Sequence, residues 1–433
     1  MARVVVIGGG LGGMASAVRL AKIGHEVTLL EAREELGGAL GLLEHDGYTW
    51  DAGPSATPLP GAIRDLFRKS GRPLEREVDL VAVPQFREHR FEDDTRVTFA
   101  AGRAPQQEAL TAALGEKAAA AWMAWTESFH TPWETVRREY LERPWALDLV
   151  DRSTRDLLFS RETLHKRVRK SFKDVRLRAI ALHHAELAGH DPRNVPAWWG
   201  VLDYVEQKFG VWTVPGGLGQ LTQVLTKRLG ERRVTVQLGT PATDVVVRNG
   251  AAVAVATREG ELAADLVVCA VDPRRLPTLA RHVARTMPAL PPVVSHLGLG
   301  SSAPDLATET VFHREPTIVV RRSGVGPDGT LGVTLLGRGR VSEDIVVALA
   351  RYGLDLRPHI VTRVDENPRQ LVERLHGSPY GVAWQGRRTL TDRLSTRTPI
   401  PGVFAAGAHA APGAGVPFVA LSSALIAQEV GPA

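Results

Sequence analysis

Three glycines near the N-terminus have the spacing of a loop that cradles phosphates. Gly8, Gly10 and Gly13 follow the β-branched run 3–7, which is typical of a buried strand, and they open a helical pattern. A second strand pattern follows that helix and ends in Glu31. In such a unit the helix N-terminus donates N–H groups to a pyrophosphate, and the carboxylate accepts the ribose hydroxyls. We therefore predict a dinucleotide site, and Glu31 disfavours a 2′-phosphate at it.

Side chains that could move protons are scattered along the chain. The candidate catalytic acids or bases are His409, Asp203 and Tyr204, with Glu206, His183 and His184 as further candidates. Isolated histidines are more often structural groups, so a structural role stays open for each of them. No Ser-His-Asp order, P-loop or metal-ligand cluster stands out, and we expect no metal site.

The length and composition of the chain predict that these residues are positioned by a fold of more than one domain. The chain has 433 residues, of which 44% are hydrophobic and 23% charged, which is typical of a folded enzyme with two domains. The net charge of +5 is compatible with anionic ligands or an anionic surface, and we expect no nucleic-acid partner. Cys269 is the only cysteine, so no intramolecular disulfide forms, and a reducing, cytoplasmic location fits.

An uncharged stretch, 398–428, could be a membrane anchor or the buried lining of a cofactor site. Four prolines and four glycines interrupt it, whereas a membrane-spanning helix must satisfy its own backbone hydrogen bonds. We therefore predict a buried strand over 402–406, a loop over 407–415 and a helix over 416–430. Pro417 stands near the helix start, where its missing N–H costs nothing.

Further motifs follow the first glycine loop in a family order. Paired glycines at 37–38 precede a D-x-G-P element at 51–54, a P-x-G-G segment begins at Pro215, and a strand and glycine loop precede the C-terminal helix. This combination resembles the flavoprotein superfamily of amine oxidases, protoporphyrinogen oxidases and phytoene desaturases, over most of the chain. Segments such as "FGVWTVPGG", "VVSHLGLG" and "GSPYGVAWQGR" resemble the phytoene desaturase branch most.

The resemblance implies a non-covalently bound FAD. The cofactor-binding residues that it implies are Gly8, Gly10, Leu11, Gly12, Gly13, Glu31, Ala32, Gly37, Gly38, Ala39, Gly53, Pro54, Ser55, Ala242, Gly407, Ala408, Gly415, Val416 and Pro417. Two positions depart from the family pattern. Ala39 stands where relatives usually have a basic residue, and Phe418 where many have glycine.

The resemblance also implies the fold class. We expect an α/β protein with a Rossmann-like FAD-binding domain of the GR2-type flavoprotein and an inserted α+β substrate or cap domain. The discontinuous FAD domain would comprise 1–77, 211–285 and 395–433, and the cap 78–210 and 286–394. No second nucleotide-binding unit is recognisable, so electrons leave the flavin by a route other than NAD(P)H.

Two cap segments have more than one interpretation. Trp122, Trp125, Phe129 and Trp133 are spaced as on helices and form either a helix core or an apolar substrate pocket. The basic segment 161–178, with its apolar residues on one helical face, is either a solvated helix or an amphipathic helix on an anionic membrane. The second interpretation predicts peripheral membrane contact.

The leading hypothesis is a phytoene desaturase-like, FAD-dependent oxidoreductase. It would desaturate or isomerise a carbon–carbon bond of an apolar, isoprenoid or polyene substrate, with a quinone or O2 as candidate electron acceptor. An amine or porphyrinogen oxidase of the same fold is the alternative. His296 argues against amine oxidation, since it stands near where many amine oxidases place a lysine beside the flavin. A flavin-free prenyl carrier similar to Rab GDP-dissociation inhibitors is a third hypothesis, which the intact glycine loop disfavours.

Overall fold

The computed structural model describes residues 1–144 and 150–433. In chain order the strands are β1 (Arg3–Ile7), β2 (Glu26–Leu30), β3 (Leu42–His45), β4 (Tyr48–Asp51), β5 (Val81–Ala82), β6 (Gln85–Phe91), β7 (Arg96–Ala100), β8 (Trp212–Thr213), β9 (Thr235–Gln237), β10 (Ala242–Arg248), β11 (Ala251–Thr257), β12 (Gly260–Ala263), β13 (Leu266–Cys269), β14 (Val293–Leu299), β15 (Glu309–His313), β16 (Thr317–Val325), β17 (Leu331–Arg338), β18 (Ile360–Glu366) and β19 (Val403–Ala405). The α-helices are α1 (Leu11–Lys22), α2 (Pro60–Ser70), α3 (Arg103–Leu114), α4 (Glu116–Glu127), α5 (His130–Val136), α6 (Arg152–Leu158), α7 (Leu164–Ser171), α8 (Val175–Leu187), α9 (Val201–Phe209), α10 (Gln220–Glu231), α11 (Pro277–Ala280), α12 (Ile345–Arg351), α13 (Pro368–Arg374), α14 (Thr389–Asp392) and α15 (Val416–Val430).

One sheet has the parallel topology expected of a dinucleotide-binding fold. Its strand order is β19-β13-β1-β2-β9, and all four neighbouring pairs are parallel. Helices α1, α2, α10 and α15 pack on one face, while the antiparallel strands β10 to β12 pack against the other. Because both faces are covered, the β-branched run after Arg3 is buried throughout. The predicted α/β, Rossmann-like fold class is confirmed.

A larger mixed sheet forms the floor of the cap. Its order is β18-β14-β17-β16-β15-β6-β7, in which β15 and β6 are parallel and the other pairs antiparallel. One face buries an aliphatic core with α12. Helices α3 to α9 surround a separate, aromatic core. Between those helices and the second face of the sheet lies a cavity, which Val294 and Leu336 of the sheet line.

A hairpin from the N-terminal segment joins the cap sheet. Strand β4 pairs with β16, with Trp50 opposite Gly324 and Thr49 opposite Val325. The Trp50 side chain is fully buried, and its Nε1–H donates to the carbonyl of Leu297 at 3.2 Å. Backbone hydrogen bonds therefore link a segment predicted to belong to the FAD domain to the cap sheet. The exact domain boundaries stay a prediction.

The basic segment 161–178 is not the single helix that its pattern suggests. Helix α7 ends at Ser171, and α8 begins at Val175 after Asp174, whose carboxylate caps α8 by accepting from the backbone N–H of Arg176 at 2.8 Å. Most apolar side chains of the segment do not point outward, although Val175 is 69% exposed. Leu164, Val168 and Phe172 lie in the aromatic core of the cap, each at most 1% exposed. These three side chains therefore pack against the cap core, and peripheral membrane contact by this segment stays a prediction.

Four aromatic residues between positions 122 and 133 were predicted to form either a helix core or an apolar pocket. Trp122, Trp125 and Phe129 are fully buried in the cap core, whereas Trp133 also lines a small side cavity of about 70 Å³. The C-terminal strand and helix form where the sequence predicts them, as β19 and α15. Within the described ranges, no helix combines the length and apolar character required to cross a bilayer.

Candidate functional site

One large cavity, of about 1060 Å³, runs from the first glycine loop to the floor of the cap. Its volume slightly exceeds the usual upper range for a single small-molecule site, so it has room for a cofactor together with a substrate. Glycine-rich loops from β1, α1 and the C-terminal segment line one end. Apolar side chains of the cap line the other end, namely Leu187, Trp199, Leu202, Val294, Leu336 and Leu371.

The glycine loop has the geometry of a phosphate cradle. A Cβ atom at Gly10 would meet no atom within 4 Å, so a ligand can approach the backbone there. At Gly13 a Cβ atom would lie 1.8 Å from the carbonyl oxygen of Gly8, which explains the need for glycine at this helix–strand contact. Helix α1 starts after Gly10 without a side-chain cap, and its first N–H groups point to the cavity end as donors for a phosphate.

Glu31 stands at the end of β2, beside this cradle. Its carboxylate accepts the backbone N–H of Gly9 at 2.5 Å and that of Arg33 at 2.9 Å, and the side chain is largely buried. These bonds orient the carboxylate at the cavity wall, where it can accept ribose hydroxyls. The residues present therefore fit the dinucleotide that the sequence predicts.

Most of the predicted cofactor residues line this one cavity. They are Gly8, Gly10, Leu11, Gly12, Glu31, Ala32, Gly37, Gly38, Ala39, Gly53, Pro54, Ala242, Gly407, Ala408, Gly415, Val416 and Pro417. Gly13 and Ser55 lie outside the lining. Gly13 serves the helix–strand contact, and the carbonyl of Ser55 accepts a hydrogen bond from Thr213 Oγ1 at 2.7 Å. The binding roles themselves stay predictions.

The C-terminal loop closes over the glycine loop. A Cβ atom at Gly12 would lie 2.8 Å from Gly407 Cα, and the Gly407 N–H donates to Ser422 Oγ at 3.0 Å. Helix α15 begins after Gly415 without a side-chain cap, so its N-terminal dipole and N–H groups are available at the cavity wall. Phe418, one of the two departures from the family pattern, also lines the cavity.

Asp51 of the D-x-G-P element has a structural role that its motif does not reveal. One carboxylate oxygen accepts the Gly219 N–H at 2.7 Å, and a Cβ atom at Gly217 would lie 2.6 Å from it. The aspartate therefore anchors the loop of the P-x-G-G segment against the FAD-binding fold. Asp51 is 2% exposed, and burial raises the pKa of its carboxyl to about 7.

The structure separates the candidate acids and bases. His409 lines the cavity, and its Nε2 lies 3.0 Å from the carbonyl oxygen of Ser378, while burial lowers its pKa. Its ring is therefore held as a neutral donor within the loop between β19 and α15. Tyr204 lies outside this lining, with its ring edge-on to His130 at 5.9 Å, so the geometry does not support a catalytic role for it.

Asp203 lies behind the cavity rather than in its wall. It accepts the Trp125 Nε1–H at 2.8 Å, and burial raises its pKa to about 7. Between it and the cavity stand two of the further candidates, His184 and Glu206, which do line the wall. His184 Nε2 is 3.2 Å from Glu206 and 3.7 Å from Asp203. His183 is buried beside them but lies outside the lining.

A buried ionic network that sequence reasoning missed supports these groups. Arg87 donates to both oxygens of Glu206, at 2.7 and 3.1 Å, and also to Glu309, whose other oxygen accepts from Arg321 at 2.5 Å. Burial alone would raise the pKa of Glu206, but Arg87 outweighs it and lowers that pKa to about 2. Burial alone would lower the pKa of His184, but the neighbouring carboxylate of Glu206 outweighs burial, so the pKa of His184 is raised. The network therefore holds charged groups in an otherwise apolar cap.

His296 belongs to the cavity floor. Its Nδ1 is 2.8 Å from Thr334 Oγ1, which is in turn 2.6 Å from Ser323 Oγ. Its Nε2 is buried and has no hydrogen-bond partner among the described residues. Burial lowers the pKa of the imidazole to about 4, so the ring that lines the cavity is neutral.

The family model for flavin containing amine oxidoreductases matches residues 11–431. The chain belongs to this family. Among its relatives in the amine oxidoreductase family, hydroxyneurosporene desaturase of Cereibacter sphaeroides is 28% identical over 99% of this chain and 97% of its own length. The 4,4'-diapolycopene oxygenase of Methylomonas sp is 26% identical over 99% and 98%.

Solved structures of amine oxidoreductases have the same fold. Putrescine oxidase bound to putrescine superposes with a TM-score of 0.72 at 18% identity, over 99% of both chains. Cyclohexylamine oxidase from Brevibacterium oxydans gives 0.70 at 15% identity, also over 99% of both chains. Together with the cradle described above, family membership identifies this flavoprotein as an FAD-dependent oxidoreductase.

Proposed function

We propose that this flavoprotein desaturates or isomerises a carbon–carbon bond of a long isoprenoid. The observation that supports this proposal most strongly is one continuous cavity. It extends from the dinucleotide cradle into an apolar pocket between the cap sheet and helices α8 and α9. Hydroxyneurosporene desaturase and 4,4'-diapolycopene oxygenase, which align over nearly the whole chain, support a substrate of this class by their names.

Within this proposal the protein holds the cofactor, orients the substrate and receives a proton. FAD, when bound, supplies a two-electron acceptor for hydrogen removed from carbon. The apolar wall around Leu202 and Leu336 excludes water and aligns the chain. His184, which faces the cavity and is backed by Glu206 and Asp203, is the group placed to exchange a proton with it.

Amine oxidation is the second candidate, since the solved structures of the same fold include amine oxidases. Two features of the site argue against it. The imidazole of His296 is neutral and offers no charge, and the carboxylate of Glu206 is already paired with Arg87 and His184. An ammonium substrate would therefore meet no unpaired carboxylate beside the cap sheet among the described lining residues.

Anaerobic absorbance of the bound flavin tests the proposal directly. We expect bleaching of the visible flavin band when an isoprenoid hydrocarbon or alcohol is added, and none with amines or a porphyrinogen. For redox-neutral isomerisation, chemically reduced enzyme should convert the isoprenoid without net oxidation. Bleaching by amines alone would overturn the proposal. A purified, folded protein that binds no FAD would instead favour a flavin-free prenyl carrier.

The electron acceptor and the membrane contact are proposals of the same kind. A quinone or O2 would reoxidise the flavin, and stopped-flow mixing of reduced enzyme with each acceptor distinguishes them. With the apolar face of α7 buried, membrane contact would be electrostatic, through exposed Arg169, Lys170 and Lys173. Sedimentation with anionic liposomes that survives charge reversal at these positions would exclude this surface. A cytoplasmic location stays a prediction.

A further inference from the structure

Arg321 introduces a strong hydrogen-bond donor into the floor of the apolar cavity. In the cap sheet it is directly opposite Glu309 on one side and Thr334 on the other, and Thr334 is directly opposite His296. Residues directly opposite in neighbouring strands project to the same face of a sheet. Arg321, Thr334 and His296 all line the cavity. Two strand spacings separate Arg321 from His296, which is roughly 10 Å.

The guanidinium of Arg321 is held at one edge only. Its Nε–H donates to Glu309 Oε2 at 2.5 Å, and the other oxygen of Glu309 accepts from Arg87. No partner of the two Nη groups occurs among the described residues, the side chain is only 16% exposed, and the residue lines the cavity. The protein thus fixes the orientation of Arg321 and leaves its outer donors to whatever occupies the cavity.

These donors, which have no partner among the described residues, affect which substrate can bind. A pure hydrocarbon that filled the cavity would displace water from the Nη groups and give no hydrogen bond in return, which is unfavourable. An oxygen acceptor would replace that water with a charge-assisted hydrogen bond. Glu309 is shared with Arg87, and Glu206 is shared by Arg87 and His184, so no carboxylate fully neutralises Arg321.

We propose that Arg321 is a specificity-determining residue that binds an oxygen function, a carboxylate or hydroxyl, at one end of an isoprenoid substrate. This inference rests on the proposed function, because it specifies the substrate class of the same site. The oxygen would lie about two strand spacings from His296, and the apolar chain would lie along Val294 and Leu336 towards Trp199.

Binding to the FAD-loaded protein, without turnover, tests the inference. The probes are geranylgeranoic acid, geranylgeraniol and the hydrocarbon of the same carbon skeleton, titrated while perturbation of the flavin spectrum is followed, with calorimetry as a second readout. We expect the acid, the alcohol or both to bind at least about tenfold more tightly than the hydrocarbon. The two oxygenated probes distinguish a carboxylate from a hydroxyl ligand.

Variants then assign the preference to one side chain. Arg321→Met should abolish the preference. The oxygenated probe loses its charge-assisted hydrogen bond and binds more weakly, the hydrocarbon no longer displaces water from the guanidinium and binds more tightly, and the two affinities should converge. The matched control is Arg322→Met, because the neighbouring guanidinium is half exposed and lies 3.5 Å from Asp305, outside the cavity lining. If Arg321→Met does not fold, Arg321→Lys keeps the charge but loses the forked geometry and should retain only part of the preference.

The outcomes separate this inference from the proposed function. Equal affinity of wild-type protein for the hydrocarbon and both oxygenated probes would overturn the role of Arg321 and leave an isoprenoid function intact. An unchanged preference in Arg321→Met would do the same. Failure of all three probes to bind, with amines or a porphyrinogen binding instead, would overturn the proposed function itself.

Discussion

At the scale of single residues, a substitution at Gly10 tests cofactor binding without disturbing the fold. Its backbone conformation, φ −74° and ψ 179°, is open to any residue, and a Cβ atom there would meet nothing in the protein. We expect Gly10→Ala to fold normally but to bind FAD at least about tenfold more weakly, because the methyl group occupies the phosphate approach. Calorimetric titration with FAD measures the loss.

Substitutions at two other glycines serve as comparisons for that experiment. Gly61→Ala in α2 is the matched control, since Gly61 also has open space around its Cβ position but lies outside the cavity, and it should leave FAD affinity unchanged. Gly13→Ala should fail to fold, because its Cβ atom would overlap the carbonyl of Gly8. Normal FAD affinity in Gly10→Ala would show that the phosphates lie elsewhere.

Asp51 gives the protein a predictable dependence on pH. Its pKa is raised from 3.8 in the unfolded chain to about 7 in the folded protein, so folding favours the protonated carboxyl. Its contribution to stability is fully present below about pH 4 and is lost as the pH rises towards 7, by roughly 4 kcal/mol at most. Asp51→Asn removes this titration. Relative to wild type, the variant should therefore gain in melting temperature between pH 5 and pH 8.

The control for this comparison is Asp305→Asn, whose carboxylate is 98% exposed. We expect this substitution at an exposed position to change the melting temperature little. A difference between Asp51→Asn and wild type that did not vary with pH would show that the buried carboxyl does not titrate in this range.

At the scale of elements, local pattern predicted some segments well and misled at one. The strand–glycine–helix unit ending in Glu31 and the division of the C-terminal stretch depend on neighbours in sequence, so both formed where expected. The basic segment 161–178 forms two helices rather than one, and a helical hydrophobic face looks the same in sequence whether it packs against lipid or protein. The tertiary contacts of Val168 with the aromatic core could not be read from that pattern.

Arg167 of that segment provides an element-scale prediction. Its guanidinium stacks 4.4 Å from the Phe129 ring centre and donates to Ser128 Oγ at 3.0 Å, which attaches α7 to the preceding helices. Arg167→Glu should lower the free energy of unfolding by about 1–3 kcal/mol, measured by urea denaturation. Exposed Arg169 and Lys170 are the controls. Replacing either of them with Glu should change the free energy of unfolding by less than about 0.5 kcal/mol. Equal effects at all three positions would contradict the stacking role.

At the scale of the whole molecule, the cofactor end was predictable and the substrate end was not. Glycine spacing identifies a phosphate cradle from adjacent residues. Arg321 and its neighbours Arg87 and Glu309 come together only through strand pairing, and 222 residues separate Arg87 from Glu309 in the chain. Without the register of the cap sheet, no sequence pattern distinguishes these side chains from solvated surface charges.

FAD should stabilise the whole fold, because its cradle is built from segments at both ends of the chain. Removal of FAD should lower the melting temperature. Free FAD at 100 times its Kd should then raise the free energy of unfolding of the FAD-free protein by about 2.7 kcal/mol. Acid precipitation should release the flavin, since the attachment is predicted to be non-covalent. Gly10→Ala supplies the control, as added FAD should raise its melting temperature far less. A flavin that stays with the precipitate would contradict non-covalent binding.

The pairing of β4 with β16 has a consequence for how long molecules reach the interior. Moving the cap sheet away from this hairpin would break the pairing of Trp50 with Gly324, which opposes opening of the cavity at this point. For the long isoprenoid proposed above, we expect entry lengthwise, with one end leading. The depth at which that end stops would then determine which carbon–carbon bond lies beside the flavin.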